Sequence, residues 1–213
     1  SLTDQKHLTR SWTVQEEVTA FFAQADINAE IGSIPVTGNV GVRYVKTEQS
    51  SQGFAANTVD GLVVVSPTDV SHDYSHFLPS INLSFAIDEE QTVRFGAAKT
   101  ISRARLDEMN SSVNASYNQQ PDENGNYWSV SGGNPVLEPK EATGFDLSYE
   151  NYFHEEGYFA AAVFYKDITQ WIFDGTYEID MSGVADPSTG EIPETSTGTG
   201  SGKVNGGSGD LWG

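Results

Sequence analysis

The sequence predicts an all-β fold, an antiparallel up-and-down meander of long strands. Three observations predict it. Strand formers such as Val, Ile, Tyr, Phe and Thr dominate the periodic segments. Six blocks run for about 10 to 19 positions, most of them alternating apolar and polar residues, where an ordinary globular strand spans about 5 or 6. The connections between blocks alternate short and long, so one rim of the sheet is tight and the other carries large loops.

The first block, VTAFFAQADINAE (Val18–Glu30), reads as a strand from its aromatic and β-branched content. The second, GNVGVRYVKTEQS (Gly38–Ser50), sets Val40, Val42 and Tyr44 on one side and Gly41 and Arg43 on the other. The third, HFLPSINLSFAID (His76–Asp88), divides into Ile81, Leu83, Phe85 and Ile87 against Ser80, Asn82, Ser84 and Ala86. In the fourth, QTVRFGAAKTIS (Gln91–Ser102), Val93, Phe95 and Ala97 oppose Arg94 and Gly96. In the fifth, GFDLSYENYFHE (Gly144–Glu155), Phe145, Leu147 and Tyr149 oppose Asp146, Ser148 and Glu150. The sixth, GYFAAAVFYKDITQWIFDG (Gly157–Gly175), is apolar on both faces over its first half. Periodicity does not distinguish an apolar face turned inward, as in a soluble sandwich, from one turned outward to lipid.

The connections discriminate better. EIGSIPVT joins the first two blocks, Glu89 and Glu90 join the third and fourth, and Glu156 joins the fifth and sixth. Ser51–Ser75, Arg103–Thr143 and Thr176–Gly202 are expected to be long loops of about 25 residues or more, which compact soluble domains seldom hold. Strands long enough to cross about 30 Å of hydrocarbon at a tilt, with tight turns on one rim and long loops on the other, are the pattern of outer-membrane barrels. The last loop, DMSGVADPSTGEIPETSTGTGSGKVNGGSGD, is low-complexity Gly/Ser/Thr and is expected to be mobile.

Composition removes several functions. A net charge of −19 repels phosphate backbones, so nucleic acid is not an expected partner. The absence of cysteine excludes a zinc-thiolate site, a thiol nucleophile and a disulfide scaffold. No apolar run approaches the roughly 18 residues of a transmembrane helix. The sequence starts without Met and stops in mid-motif at GDLWG, and is read as an internal piece of a longer chain.

Several motifs in order carry a family resemblance. They are VQEEVTAFFAQADIN, VTGNVGVRYVKTEQSSQG, YSHFLPSINLSFAI, VRFGAAKTISRARLDEM, GGNPVLEPKEATGFDLSYENYF and FYKDITQWI, followed by VNGGSG as the start of a further strand. Together, over about Trp12 to Gly213, they resemble the barrels of TonB-dependent outer-membrane receptors; Ala104 departs from a position where the family commonly has Pro. The resemblance implies an open segment of a 22-stranded transmembrane barrel, here residues 1–213, with plug and barrel C-terminus lying outside it. It also implies a location in the outer membrane of a Gram-negative bacterium, in contact with its lipid. The implied function is energy-coupled uptake of a scarce nutrient, a siderophore-type iron complex or an oligosaccharide. The implied partners are the receptor's own plug domain and the TonB–ExbB–ExbD complex, with neither cofactor nor catalysis.

On this reading Asn134–Pro139 is the landing of a long external loop on the barrel rim, its two prolines restricting the chain to extended conformations. Arg43, Asn82, Arg94, Asp146 and Glu150 are expected to face a wet lumen. Tyr44, Phe77, Tyr149, Tyr152 and Phe153 are expected in the aromatic girdles. Tyr127 and Trp128, as exposed aromatics of an external loop, and Arg103 and Arg105, as scarce cations, are the candidate ligand contacts. His72 and His76 have zinc-helix spacing, but in a strand they lie about 13 Å apart and do not share one ion. PDENGNYW lacks the ligand spacing of a calcium loop and reads as a turn. Two alternatives remain at this point: a soluble carbohydrate-binding β-sandwich, and a small complete structural barrel of the outer membrane.

Overall fold

The computed structural model describes residues 5–59, 62–154, 157–181, 186, 189, 191–192 and 197–213. Among these residues the chain forms one curled, open half-barrel sheet without α-helix. In chain order the strands are β1 (Thr13–Ile31), β2 (Ile34–Val59), β3 (Leu62–Ala86), β4 (Gln91–Ser102), β5 (Val113–Tyr117), β6 (Trp128–Gly132), β7 (Lys140–His154), β8 (Gly157–Thr169), β9 (Ile172–Asp180), β10 (Thr197–Asn205) and β11 (Ser208–Trp212). The wall runs β1-β2-β3-β4-β7-β8-β11, antiparallel throughout, so the expected meander is present. The remaining four strands form a canopy continuous with β2.

The tight rim is tighter than expected. EIGSIPVT contracts to a turn at Gly32 and Ser33, with Gly32 at a φ of 66° that favours glycine. At the next turn Asp88 Oδ1 accepts from the backbone N–H of Glu90 at 2.9 Å and of Gln91 at 2.8 Å. The connection at Glu156 lies outside the described residues.

The other rim corrects several expectations; within Arg103–Thr143, expected as a loop, β5 and β6 pair antiparallel and β7 already starts at Lys140. Ser51–Ser75 is not a loop: β2 and β3 stay in one register from Val36↔Phe85 to Val59↔Leu62. Its strands were hidden because a ribbon rising beyond the apolar layer needs no apolar face, so alternation fades. The sixth block is not one strand either; it breaks after Thr169, at Gln170 with φ 52°, into β8 and β9. Of the last expected loop, residues 197–205 form β10 and 208–212 form β11, while 182–185, 187–188, 190 and 193–196 lie outside the described residues.

The two faces of the wall differ as the alternation requires. Phe21, Tyr44 and Phe77 pair across β1, β2 and β3 in one exposed aromatic row. Val40, Ile81, Ala97 and Phe145 form a parallel apolar row on the same face. On the opposite face Val45, Thr47, Gln49 and Ser51 are buried in strict alternation, with loop residues over part of the row: Pro135 and Leu137 at Gln49, Ser111 at Ser51. This covered side is called the inner face below. Tyr152 departs from the girdle expectation: its hydroxyl donates to Glu150 at 3.2 Å and its ring stacks on Tyr158, which places it with the polar residues. The compact apolar clusters lie in the canopy strands and their loops rather than in the wall: Met109, Leu137 and Ile172 in one, Trp128, Val130 and Met181 in the other.

Candidate functional site

The canopy begins where β1 ends. β1 accompanies β2 as far as Thr13↔Gln52, and just beyond this β2 offers its vacated edge to β5, in parallel, at Ala55 and Ala56. β5 pairs with β6, β6 with β10, and β10 with β9. Since β9 continues β8 after Gln170 and Trp171, the strands form a circuit across the wall and back through the canopy.

The segment Asn134–Pro139 holds this circuit together. It does not stop at the rim but crosses the inner face of β2 and β3. Gln49 Nε2 donates to the carbonyls of Pro135 at 2.7 Å and Leu137 at 3.2 Å. Leu137 is fully buried between Met109 and Ile172. Glu138 uses both backbone groups on one side chain: its N–H donates to Asn205 Oδ1 and its carbonyl accepts from Asn205 Nδ2, each at 2.8 Å. Asn134 Nδ2 donates to the carbonyl of Lys203 at 2.9 Å. The prolines supply the stiffness; side-chain amides supply the backbone partners that a ladder would otherwise provide.

Side-chain pairs reinforce the crossing. His72 Nε2 lies 3.2 Å from Glu138 Oε1, and His76 Nδ1 lies 2.6 Å from Glu141 Oε1. Glu141 also meets Lys99 Nζ at 2.6 Å, bridging β3 and β4 beyond Ser80↔Ala98, where their ladder ends. Each histidine thus has its own carboxylate, and among the described residues no group of three or more His, Asp or Glu is placed to hold a metal.

Residues 3–213 match the family described as TonB dependent receptor-like, beta-barrel. The chain belongs to this family. Its barrels are those of transport receptors and sit in the Gram-negative outer membrane. No curated protein matches the chain. Among solved structures it is similar to a double mutant of the Serratia marcescens hemophore receptor HasR in complex with its hemophore HasA and heme, with TM-score 0.56 and 15% identity over 92% of this chain and 30% of that one. It is also similar to the siderophore receptor PirA of Acinetobacter baumannii (TM-score 0.47, 16% identity, 93% of this chain and 34% of that one). A third is a mutant ferric enterobactin receptor, PfeA, of Pseudomonas aeruginosa in complex with enterobactin (TM-score 0.49, 14% identity, 93% of this chain and 33% of that one). The chain spans about a third of the length of these receptors.

Within this TonB-dependent receptor barrel the expected site residues fall into separate places. Arg43, Asn82, Arg94, Asp146 and Glu150 share the inner face by register. Arg94 is forked onto Glu150, Nε–Oε1 at 3.2 Å and Nη2–Oε2 at 3.3 Å, and Asn82 donates to Asn39 at 3.1 Å. A trough of about 670 Å³ passes over Gly96 between Asn82 and Asp146. Arg103 reaches Glu16 at 3.5 Å and Arg105 is forked onto Asp107 at 3.0 and 2.8 Å, so both cations have acidic partners. Tyr127 stacks on Tyr117, with ring centroids 5.7 Å apart.

Trp128 corrects the expectation of an exposed platform: it is 1% exposed, packed with Val130 and Met181 and edge-on to Tyr117. An indole in a short strand of a canopy has a core of its own to enter. Gln49, Glu138, Glu141 and Asn205 were not singled out. The signal for Gln49 was present in Arg43, Val45, Thr47, Gln49 and Ser51, a period-2 series on the polar side. The partners of Asn205 carry no comparable mark.

Proposed function

We propose that this chain is a stretch of the barrel of an outer-membrane receptor that imports a scarce nutrient by TonB-dependent, energy-coupled transport, its cargo a siderophore-type iron complex or an oligosaccharide. The observation that carries this is the pairing of two features on one sheet: an exposed apolar face with an aromatic row, and an opposite polar face covered at one end by an ordered canopy. The first suits outer-membrane lipid, the second a watery lumen with a mouth. In the whole receptor the inner-face residues Arg43, Asn82, Arg94, Asp146 and Glu150 would meet water and a plug domain, and Arg103, Arg105 and Tyr127 would stand near the entering ligand. The TonB–ExbB–ExbD complex would supply the work through the plug, and the protein would carry out no catalysis. Support for this reading comes from the family match and from the single open sheet, which fits neither a two-sheet sandwich nor a small closed barrel.

The test is growth of a strain lacking the receptor gene on a panel of iron complexes and glycans, paired with uptake of the labelled compound. Loss of growth on one compound, reproduced by removing TonB, is the expected result. Uptake that persists unchanged without TonB would overturn it.

A further inference from the structure

A cavity of about 450 Å³ opens where the turn Pro121–Asn126 meets the β9–β10 hairpin, within the range of roughly 300–1,000 Å³ typical of ligand pockets. Asn124, Asn126, Thr176, Glu178, Thr197 and Thr199 line it. The two walls are far apart in sequence and are tied at one point. Asp122 Oδ1 accepts from the backbone N–H groups of Asn124 and Asn126, both at 2.9 Å, and Oδ2 accepts from the Thr199 hydroxyl. Asn126 Nδ2 donates to Thr199 Oγ1 at 3.0 Å. Gly125, at φ 84°, completes the turn. The turn is therefore set before any ligand arrives, which spares the ordering cost of binding.

The chemistry of the lining selects a class of ligand. It presents amides, hydroxyls and one carboxylate, groups that donate to and accept from neighbouring hydroxyls. Tyr177 also lines the cavity, its ring lying over Gly200, where a Cβ would collide with it. That ring lies on the opposite face of the β9–β10 pair from Thr176, Glu178, Thr197 and Thr199, so a ligand in the cavity meets hydrogen-bonding groups rather than an aromatic surface. Among the described residues the lining holds Glu178 and no Lys or Arg, in a chain of net charge −19, so an anionic complex is disfavoured there.

We propose that this cavity binds a neutral, hydroxyl-rich ligand, a saccharide, with Asn124 and Glu178 as its hydrogen-bonding contacts. The proposal rests on the uptake reading above and narrows its cargo.

The experiment uses the full-length receptor in an amine-oxide detergent, which carries no sugar headgroup. Calorimetry is run against a panel of neutral linear oligosaccharides of glucose, mannose, galactose and xylose, and against a trianionic ferric tris-catecholate. Asn124→Ala and Glu178→Gln are made separately, both at exposed positions, and heat-modifiable gel migration checks that each barrel is folded. The expected result is binding of at least one oligosaccharide, weakened about tenfold in each variant. Absence of oligosaccharide binding, or equal affinity in wild type and both variants, would overturn the assignment. TonB-dependent uptake of the ferric complex, untouched by either substitution, would also overturn it while leaving the uptake reading intact.

Discussion

Gln49 shows how much one side chain carries. It is 4% exposed and its amide serves two carbonyls of the crossing segment. Gln49→Ala leaves both carbonyls without that donor and is expected to destabilise the full receptor by about 1–3 kcal/mol in urea titrations in micelles. Ser50→Ala, on the opposite face, is expected to stay within about 0.5 kcal/mol. A reversed order would place the canopy's anchor elsewhere. Asp122 offers a pH test. The Thr199 hydroxyl, then the backbone N–H of Asn126, hold its carboxyl below the ordinary range. A lowered folded pKa means that its contribution is present above the unfolded value and lost as pH falls through the folded one. Hydrogen exchange over residues 118–128, corrected for intrinsic rates, is therefore expected to accelerate below about pH 4, and Asp122→Asn to abolish that pH dependence.

Among the elements, the β9–β10 arm is set apart by a break in both of its strands at one level. Gln170 and Trp171 interrupt one strand, and Gly206 and Gly207 the other, between the paired rungs Ile172↔Asn205 and Thr169↔Ser208. Gly207 has φ 71°, so Gly207→Ala is expected to cost about 1–2 kcal/mol. Gly209→Ala, where a Cβ meets nothing within 4 Å, is expected to be near neutral. Equal melting shifts for the two would show that the bend does not need glycine. The faces of the wall are tested by Leu83→Arg, expected to cost about 2–4 kcal/mol if Leu83 lies near the bilayer midplane, against a much smaller effect at Asn82. Folding titrations into vesicles that gave the reverse would mean that lipid meets the other face.

For the whole molecule the exposed surface sets the behaviour. Among the described pairings β1 bonds only to β2, which leaves its far edge as a template for association. Phe21, Tyr44, Phe77, Phe145 and Leu147 add a broad exposed apolar band, far beyond what a soluble monomer tolerates. The isolated 213-residue chain is expected to aggregate in plain buffer and to show sharp β structure only in detergent. A monodisperse monomer in sedimentation, with a cooperative melt and no detergent, would contradict a lipid-facing wall.

Strand identity in the wall was legible from sequence because a sheet with one apolar and one polar face writes itself as a period-2 alternation; β4 spans Gln91–Ser102 as read, and the polar face of β7 holds Asp146 and Glu150. The tight rim was legible from short, turn-forming connections. The canopy was not. Its strands pair through long-range contacts, β5 on β2 and β10 on β6, that no local pattern announces. Gln49, Glu138 and Asn205 become partners through folding alone, because a hydrogen bond between residues 67 or 88 apart depends on where the backbone brings them. The fate of Trp128 had the same cause: an aromatic residue in a loop is exposed or buried according to what the rest of the chain lays over it.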